Sequence, residues 1–180
     1  VTMNQCIATM QNIQLLPIKT VTLRYDQKED RIAMAARTEQ QEQTLFWLTS
    51  RMCRKIIPPL VKSLEQSEGR NQQLVDPSLA MACRQNAAEW QHKEQQPNEV
   101  PVELEGDEHT VLLEEIQMKQ VPGGLILLFP LAQNKKATLK FTPGELRQWL
   151  GILYKQFAAA GWKMEVWPEW FTSRIASGMN

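Results

Sequence analysis

Moved along by 93 residues, the chain falls on itself. Residues 21–64 align without a gap on residues 114–157, and each copy reads strand, strand, strand, helix. Thr49 and Thr142 stand at the two strand-to-helix joints. The apolar positions of the helices then coincide in pairs: Cys53/Leu146, Ile56/Trp149, Ile57/Leu150, Leu60/Leu153 and Leu64/Phe157. Any two amphipathic helices can be slid into agreement, but here the same shift aligns the strands. It also gives the identities Gln27/Gln120, Arg54/Arg147 and Lys62/Lys155. A fixed-offset repeat constrains the fold more than a single motif, because each unit must bury its apolar face against something. Units of about 60 residues bury only some 60% of their unfolded surface. Two such units are therefore expected to share one core about an approximate twofold axis; two convergent βββα units are the alternative.

The strands carry a period of two. Leu23 and Tyr25 alternate with Thr22 and Arg24, and Ile116 and Met118 alternate with Glu115 and Gln117, the pattern of half-buried strands. Turn residues follow, then second strands at 31–38 and 125–131 and third strands at 44–48 and 138–141. Short connections favour antiparallel pairing. Thr142-Pro143-Gly144-Glu145 is a helix start with a cap, a proline in the first turn and a capping glutamate, whereas Thr49 offers a cap alone. Nine residues after each threonine stands a helix-weakening residue, Pro58 in one copy and Gly151 in the other, which suggests a bend toward the sheet.

The expected fold is thus α+β: a tandem duplication of a βββα unit, antiparallel sheets with one long amphipathic helix each, and a middle helix. That middle helix runs from Asp76-Pro77 to about Gln95, with a thin apolar set at Leu79, Ala80, Cys83, Ala87 and Trp90. Residues 1–72 hold the first unit, 73–108 the middle helix and a polar, acidic linker, and 109–180 the second unit with a Trp-rich end, all around one shared core.

The copies differ where their outer faces are concerned. Beside core-facing Phe46 and Leu48, the first copy places Leu45 and Trp47, and the second has Thr138 and Lys140 there. The second has Ile126 and Leu128 where the first has Ala33 and Ala35. Both sheets therefore have partly apolar backs that must meet each other, the middle helix or another subunit.

Composition narrows the function classes. With 20 basic and 20 acidic residues the formal charge is zero, and a protein devoted to gripping nucleic acid usually carries a basic excess. The longest apolar run, residues 125–131, is far short of the roughly 18 residues of a membrane span. No leader-like segment is visible at the start, so the expected location is cytoplasmic. Three widely spaced cysteines, Cys6, Cys53 and Cys83, read as reduced, buried thiols. No nucleophile–base set, phosphate loop or metal-ligand spacing stands out. His109 lies beside Glu105, Asp107 and Glu108 without a fixed ligand pattern, and no cofactor is expected.

Two functional expectations follow. The first is a non-enzymatic protein-interaction or assembly subunit, a dimer or part of a larger complex. It would use an apolar sheet face at Leu45 and Trp47 or the aromatic end at Trp167, Trp170 and Phe171, since tryptophan is enriched at interface hot spots. For Trp167, Pro168 and Trp170 packing into the core is the leading expectation and a partner surface the alternative. The second is a nucleic-acid-binding regulator using the outer faces of the paired helices through Arg51, Arg54, Lys62, Arg147 and Lys155. The stretch from Leu23 to Leu60, with Glu29-Asp30-Arg31 entering a strand and Phe46-Trp47-Leu48-Thr49-Ser50-Arg51 entering a helix, resembles a group of uncharacterised bacterial proteins. They share an EDR…FWLT-R pattern with a proline late in the following helix. The resemblance implies a bacterial cytoplasmic origin and carries over no activity and no functional residue.

Overall fold

The alternation of apolar and polar residues becomes one continuous sheet with a dry face. A computed structural model describes residues 12–68, 76–95, 101–102 and 109–176. Its elements are β1 (Gln14–Asp26), β2 (Arg31–Thr38), β3 (Gln43–Leu48), α1 (Ser50–Glu68), α2 (Pro77–Gln95), β4 (Thr110–Leu112), β5 (Gln117–Val121), β6 (Gly124–Pro130), β7 (Lys135–Phe141), α3 (Pro143–Ala160) and α4 (Glu169–Ala176). The protein is a mixed α+β fold. The N-terminal residues 1–11, with Cys6, lie outside the described residues, as does most of the acidic linker.

The strand order is β4-β3-β2-β1-β7-β6-β5. The hairpins pair antiparallel as expected, but two joints, β1 with β7 and β3 with β4, are parallel. The registers respect the 93-residue shift. Ile32 faces Leu48 in β2–β3, and Leu125 faces Phe141 in β6–β7. The parallel joints exchange units on the same rule: Pro17 faces Thr138, and Leu45 faces Thr110. Each unit's last strand thus takes a strand from the other unit. In the first unit the single strand β1 does two jobs. Gln14 to Pro17 pair with β7, the register breaks between Ile18 and Thr20, and the rest pairs with β2. In the second unit β4 and β5 divide that work.

The sheet is curled. Laid flat, seven strands would hold the outermost pair about 29 Å apart. Yet only a short run of chain joins Leu112 on β4 to Gln117 on β5, and five residues span at most about 17 Å. Phe46 of β3 and Phe129 of β6 also meet inside, their ring centroids 5.3 Å apart. The dry faces of both units, with Leu23, Ile32, Met34, Leu48, Leu127, Leu139 and Phe141, join the stripes of α1 and α3 in one hydrophobic cluster. Full burial of each large side chain there is worth about 1.5–3 kcal/mol.

The helix starts follow the sequence. Thr142 Oγ1 accepts from Glu145 N–H and Glu145 returns a carboxylate to Thr142 N–H, closing the capping box. Thr49 Oγ1 accepts from Met52 N–H. The helix-weakening residues answer to different neighbours. Pro58 is exposed on α1, which runs unbroken through Pro58 and Pro59. Gly151 is buried under α2, and a Cβ there would collide with the Glu89 side chain. Close approach of a helix, rather than a bend toward the sheet, accounts for this glycine.

α2 corrects the sequence reading of its packing face. Leu79 is 57% and Trp90 65% exposed, and Cys83 and Ala87 also face outward. The inward residues are Met81, Gln85 and Ala88. The inward face is mixed: Met81 joins the hydrophobic core, while Gln85 Nε2 satisfies the buried Arg147 carbonyl of α3 at 2.7 Å and donates to Glu89 Oε1 of α2 itself at 3.0 Å.

Candidate interaction surface

One half of every strand faces away from the helices. On the first unit this outer face carries Leu45 and Trp47 from β3, Ala33 and Ala35 from β2, and Thr22, Arg24 and Asp26 from β1. The alanines on the middle strand leave a trough of about 670 Å³, walled by Leu45 and Trp47 on one side and by Thr22 and Arg24 on the other. Pro101 and Val102 lie along it. Val102 is only 4% exposed and its N–H donates to Thr22 Oγ1 at 3.1 Å. Leu45 and Trp47 stay half-buried. Register places Leu112 beside Trp47, and at 46% exposure it prolongs the apolar wall. The width of two inter-strand spacings, about 10 Å, suits an extended chain or a narrow apolar ridge.

The second unit presents the opposite relief. Ile126 and Leu128 stand half-exposed on its middle strand, flanked by Thr138 and Lys140 on β7 and by Lys119 and Gln117 on β5. Lys136 Nζ donates to Gln117 Oε1 at 2.8 Å.

The aromatic end is a buried cluster. Trp167 and Phe171 pack on Tyr154, Trp167 also meets Phe157, and Trp170 stacks on Phe171. Trp170 Nε1 donates to Glu65 Oε1, while Trp167 Nε1 and Trp149 Nε1 find no acceptor among the described residues. The ring faces of Trp167, Trp170 and Phe171 are thus taken up by the core. A partner at this end would meet the half-buried rim of Trp162, Met164 and Val166. α4, which carries Trp170 and Phe171, has no counterpart in the sequence reading.

The basic residues expected on the helices do not form one surface. Arg147 is 2% exposed, its guanidinium lying 5.6 Å over the Trp170 ring and donating to the Met81 carbonyl at 3.3 Å. Arg54 is tied down more loosely: it donates to Ser50 Oγ and to the Lys163 carbonyl, and sits over Phe157. Arg51, Lys62 and Lys155 are exposed. Arg147 is therefore a buried structural residue and not an outward contact, because α2 and α4 close over α3 at that position.

Few groups here are electrostatically perturbed. Burial pushes the Cys53 thiol up to about 12. The Tyr25 hydroxyl is held above its ordinary value mainly by donating to Asp30, which also accepts from Trp162 Nε1. Among the described residues no three metal-ligating side chains converge, and no helix is long and apolar enough to cross a membrane.

Sequence reasoning set Leu45 and Trp47 on the face opposite Phe46 and Leu48, where the register puts them, but did not single out Val102 and Leu112. Val102 stands with Val100 and Leu104 in an otherwise polar, acidic run that reads as a linker, and β4 is three residues long. Comparison of the chain with protein-family models, curated proteins and solved structures returns no match.

Proposed function

We propose that this chain is a non-enzymatic protein-interaction or assembly subunit that takes a partner into the trough bounded by Leu45 and Trp47. The observation that carries this reading is the trough itself. It is an apolar groove on an outer sheet face, with a half-buried tryptophan wall continued by exposed Leu112, and with the chain's own Val102 already seated in part of it. An aromatic anchor beside a narrow apolar floor, rimmed by Thr22, Arg24 and Asp26, has the composition of an interface centre with a polar rim. The shared registers at the 93-residue shift support a further part of the proposal, that the fold arose by tandem duplication of one βββα unit. The nucleic-acid alternative keeps Arg51, Lys62 and Lys155, but Arg147 is buried and Arg54 is engaged within the fold.

The test is site-specific photo-crosslinking in cells of the source organism, with a benzophenone amino acid at Leu45 and, as control, at exposed Gln91 on α2. A discrete product at Leu45, reduced by Trp47→Asp and missing at Gln91, is expected. Absence of any product at Leu45 and at Leu112 would sink the reading.

A further inference from the structure

We infer that the outer face of the second unit is a docking surface for an acidic amphipathic helix of a partner protein. This surface is distinct from the trough. One row across it reads Lys119, Ile126, Lys140, and the next reads Gln117, Leu128, Thr138, Pro17. The third reads Pro130, Lys136, Leu15, and Leu15 is 53% exposed. Ile126, Leu128 and Pro130 therefore form an apolar line along β6 with a cation on either side of it. α1 and α3 pack on the opposite face, and the three residues of the line stay half-exposed.

Charge selects the occupant. In a chain of zero formal charge, β5, β6, β7 and residues 14–17 contain no aspartate and no glutamate. Lys136 Nζ is bonded to the neutral Gln117 side chain, and Glu115, ahead of β5, accepts from Gln117 Nε2 at 2.8 Å. Lysines often guard a sheet edge against stray strand pairing, which would account for Lys119 on β5. Lys136 and Lys140 stand on β7, inside the sheet between β6 and β1, where no edge needs guarding. Dimensions agree with a helix. β6 is seven residues long, about 23 Å, and the lysines lie about 5 Å to each side of it. A helix of about fifteen residues has that length. Its apolar stripe would rest on β6, and acidic flanks would meet Lys119 on one side and Lys136 and Lys140 on the other. Nucleic acid would find no ring to stack on, since Phe129 and Phe141 point inward. A lipid surface would find apolar side chains half sunk among their neighbours.

Fluorescence anisotropy of labelled peptides titrated with the full chain tests this. Two peptides of about fifteen residues carry the same leucine stripe and are stapled as helices on the far face. One has glutamate on both flanks of the stripe, the other glutamine. The glutamate peptide is expected to bind about tenfold tighter or more, with the advantage shrinking as salt rises. The double variant Lys119→Glu/Lys140→Glu should instead prefer a lysine-flanked peptide, a reversal that loss of folding cannot produce. Leu128→Ser should weaken both original peptides. Absent or equal binding of the two peptides by the wild type, an unchanged affinity in Leu128→Ser, or a double variant that still prefers glutamate overturns the inference. So does tighter binding to phosphatidylserine vesicles or to a single-stranded oligonucleotide than to the glutamate peptide. If the double variant loses its cooperative melt, Lys119→Gln/Lys140→Gln replaces it and should lose the preference for glutamate. Crosslinking at position 45 reads the trough alone, so the two proposals fail separately.

Discussion

α1 and α3 occupy the same place in their units and live in different surroundings. α1 has one buried stripe and an outer side that accepts the exposed Pro58; α3 is covered by the sheet below and by α2 and α4 above. The contrast is sharpest at one pair of equivalent arginines. Arg54 reaches a loop carbonyl from a half-exposed position, while Arg147 is sealed between Met81, Gln85 and Trp170. Helices at equivalent places in the 93-residue repeat therefore share a stripe but not a back. The residues that broke the repeat at positions such as 58/151 record what each back faces.

The largest difference is expected at those arginines. Arg147→Ala should cost about 2–3 kcal/mol, since it strips charged donors from buried acceptors, and Arg54→Ala about 1 kcal/mol or less. Urea unfolding of the two variants measures this, and equal losses would break the contrast between the helices. Next come the helix-weakening positions. Gly151→Val should lose about 1 kcal/mol, because the Glu89 side chain must swing away from its place over Gly151. Pro58→Ala should gain about 1 kcal/mol, because the restored N–H can donate within α1 at a solvent-facing site. A stabilising Gly151→Val would mean that Glu89 does not hold its place over α3. The smallest effect concerns the thiols. At about pH 8 an alkylating reagent should label exposed Cys83 and spare buried Cys53, as read by peptide mapping. Cys53 titrates near 12 in the folded chain against 9 for a free thiol. The folded state keeps its proton longer than the unfolded one, so this contribution is whole below about pH 9 and is lost as pH rises toward 12. Tyr25 and Tyr154 are raised as well and add to the alkaline loss. Cys53→Ala should flatten the slope of Tm against pH in that range; an unchanged slope would assign it to the tyrosines.

Much of the scaffold could be read from residues alone, and the failures share a cause. The shift of 93 residues, the hairpins and the Thr142 box follow from local patterning and short-range chemistry. The first half of β1 was missed because Pro17 and Lys19 interrupt the alternation, and its partner β7 lies far along the chain. α2 was placed correctly and faced wrongly: its apolar set could not announce that the surface awaiting it was Gln85's acceptor on α3. The site divides in the same way. Leu45 and Trp47 stood out as apolar residues on the wrong side of a strand, which is a local signal. The burial of Trp167 and Trp170 agrees with the core-packing expectation for that end, whereas the place of Val102 depends on which distant segment it docks against, and period and composition do not encode that.

The exchange of strands between units also sets an order of assembly. Gln14 pairs with Lys135, so the chain must be made almost to α3 before its first strand can be finished. While the second unit is still being synthesised, the first four residues of β1 have no neighbour on the β7 side, and β3 waits for β4. Pairings this far apart in sequence raise contact order and slow folding. The first unit will leave the ribosome as an open half-sheet, and a chain truncated before β7 would leave the first four residues of β1 and one side of β6 without the strand that pairs with both.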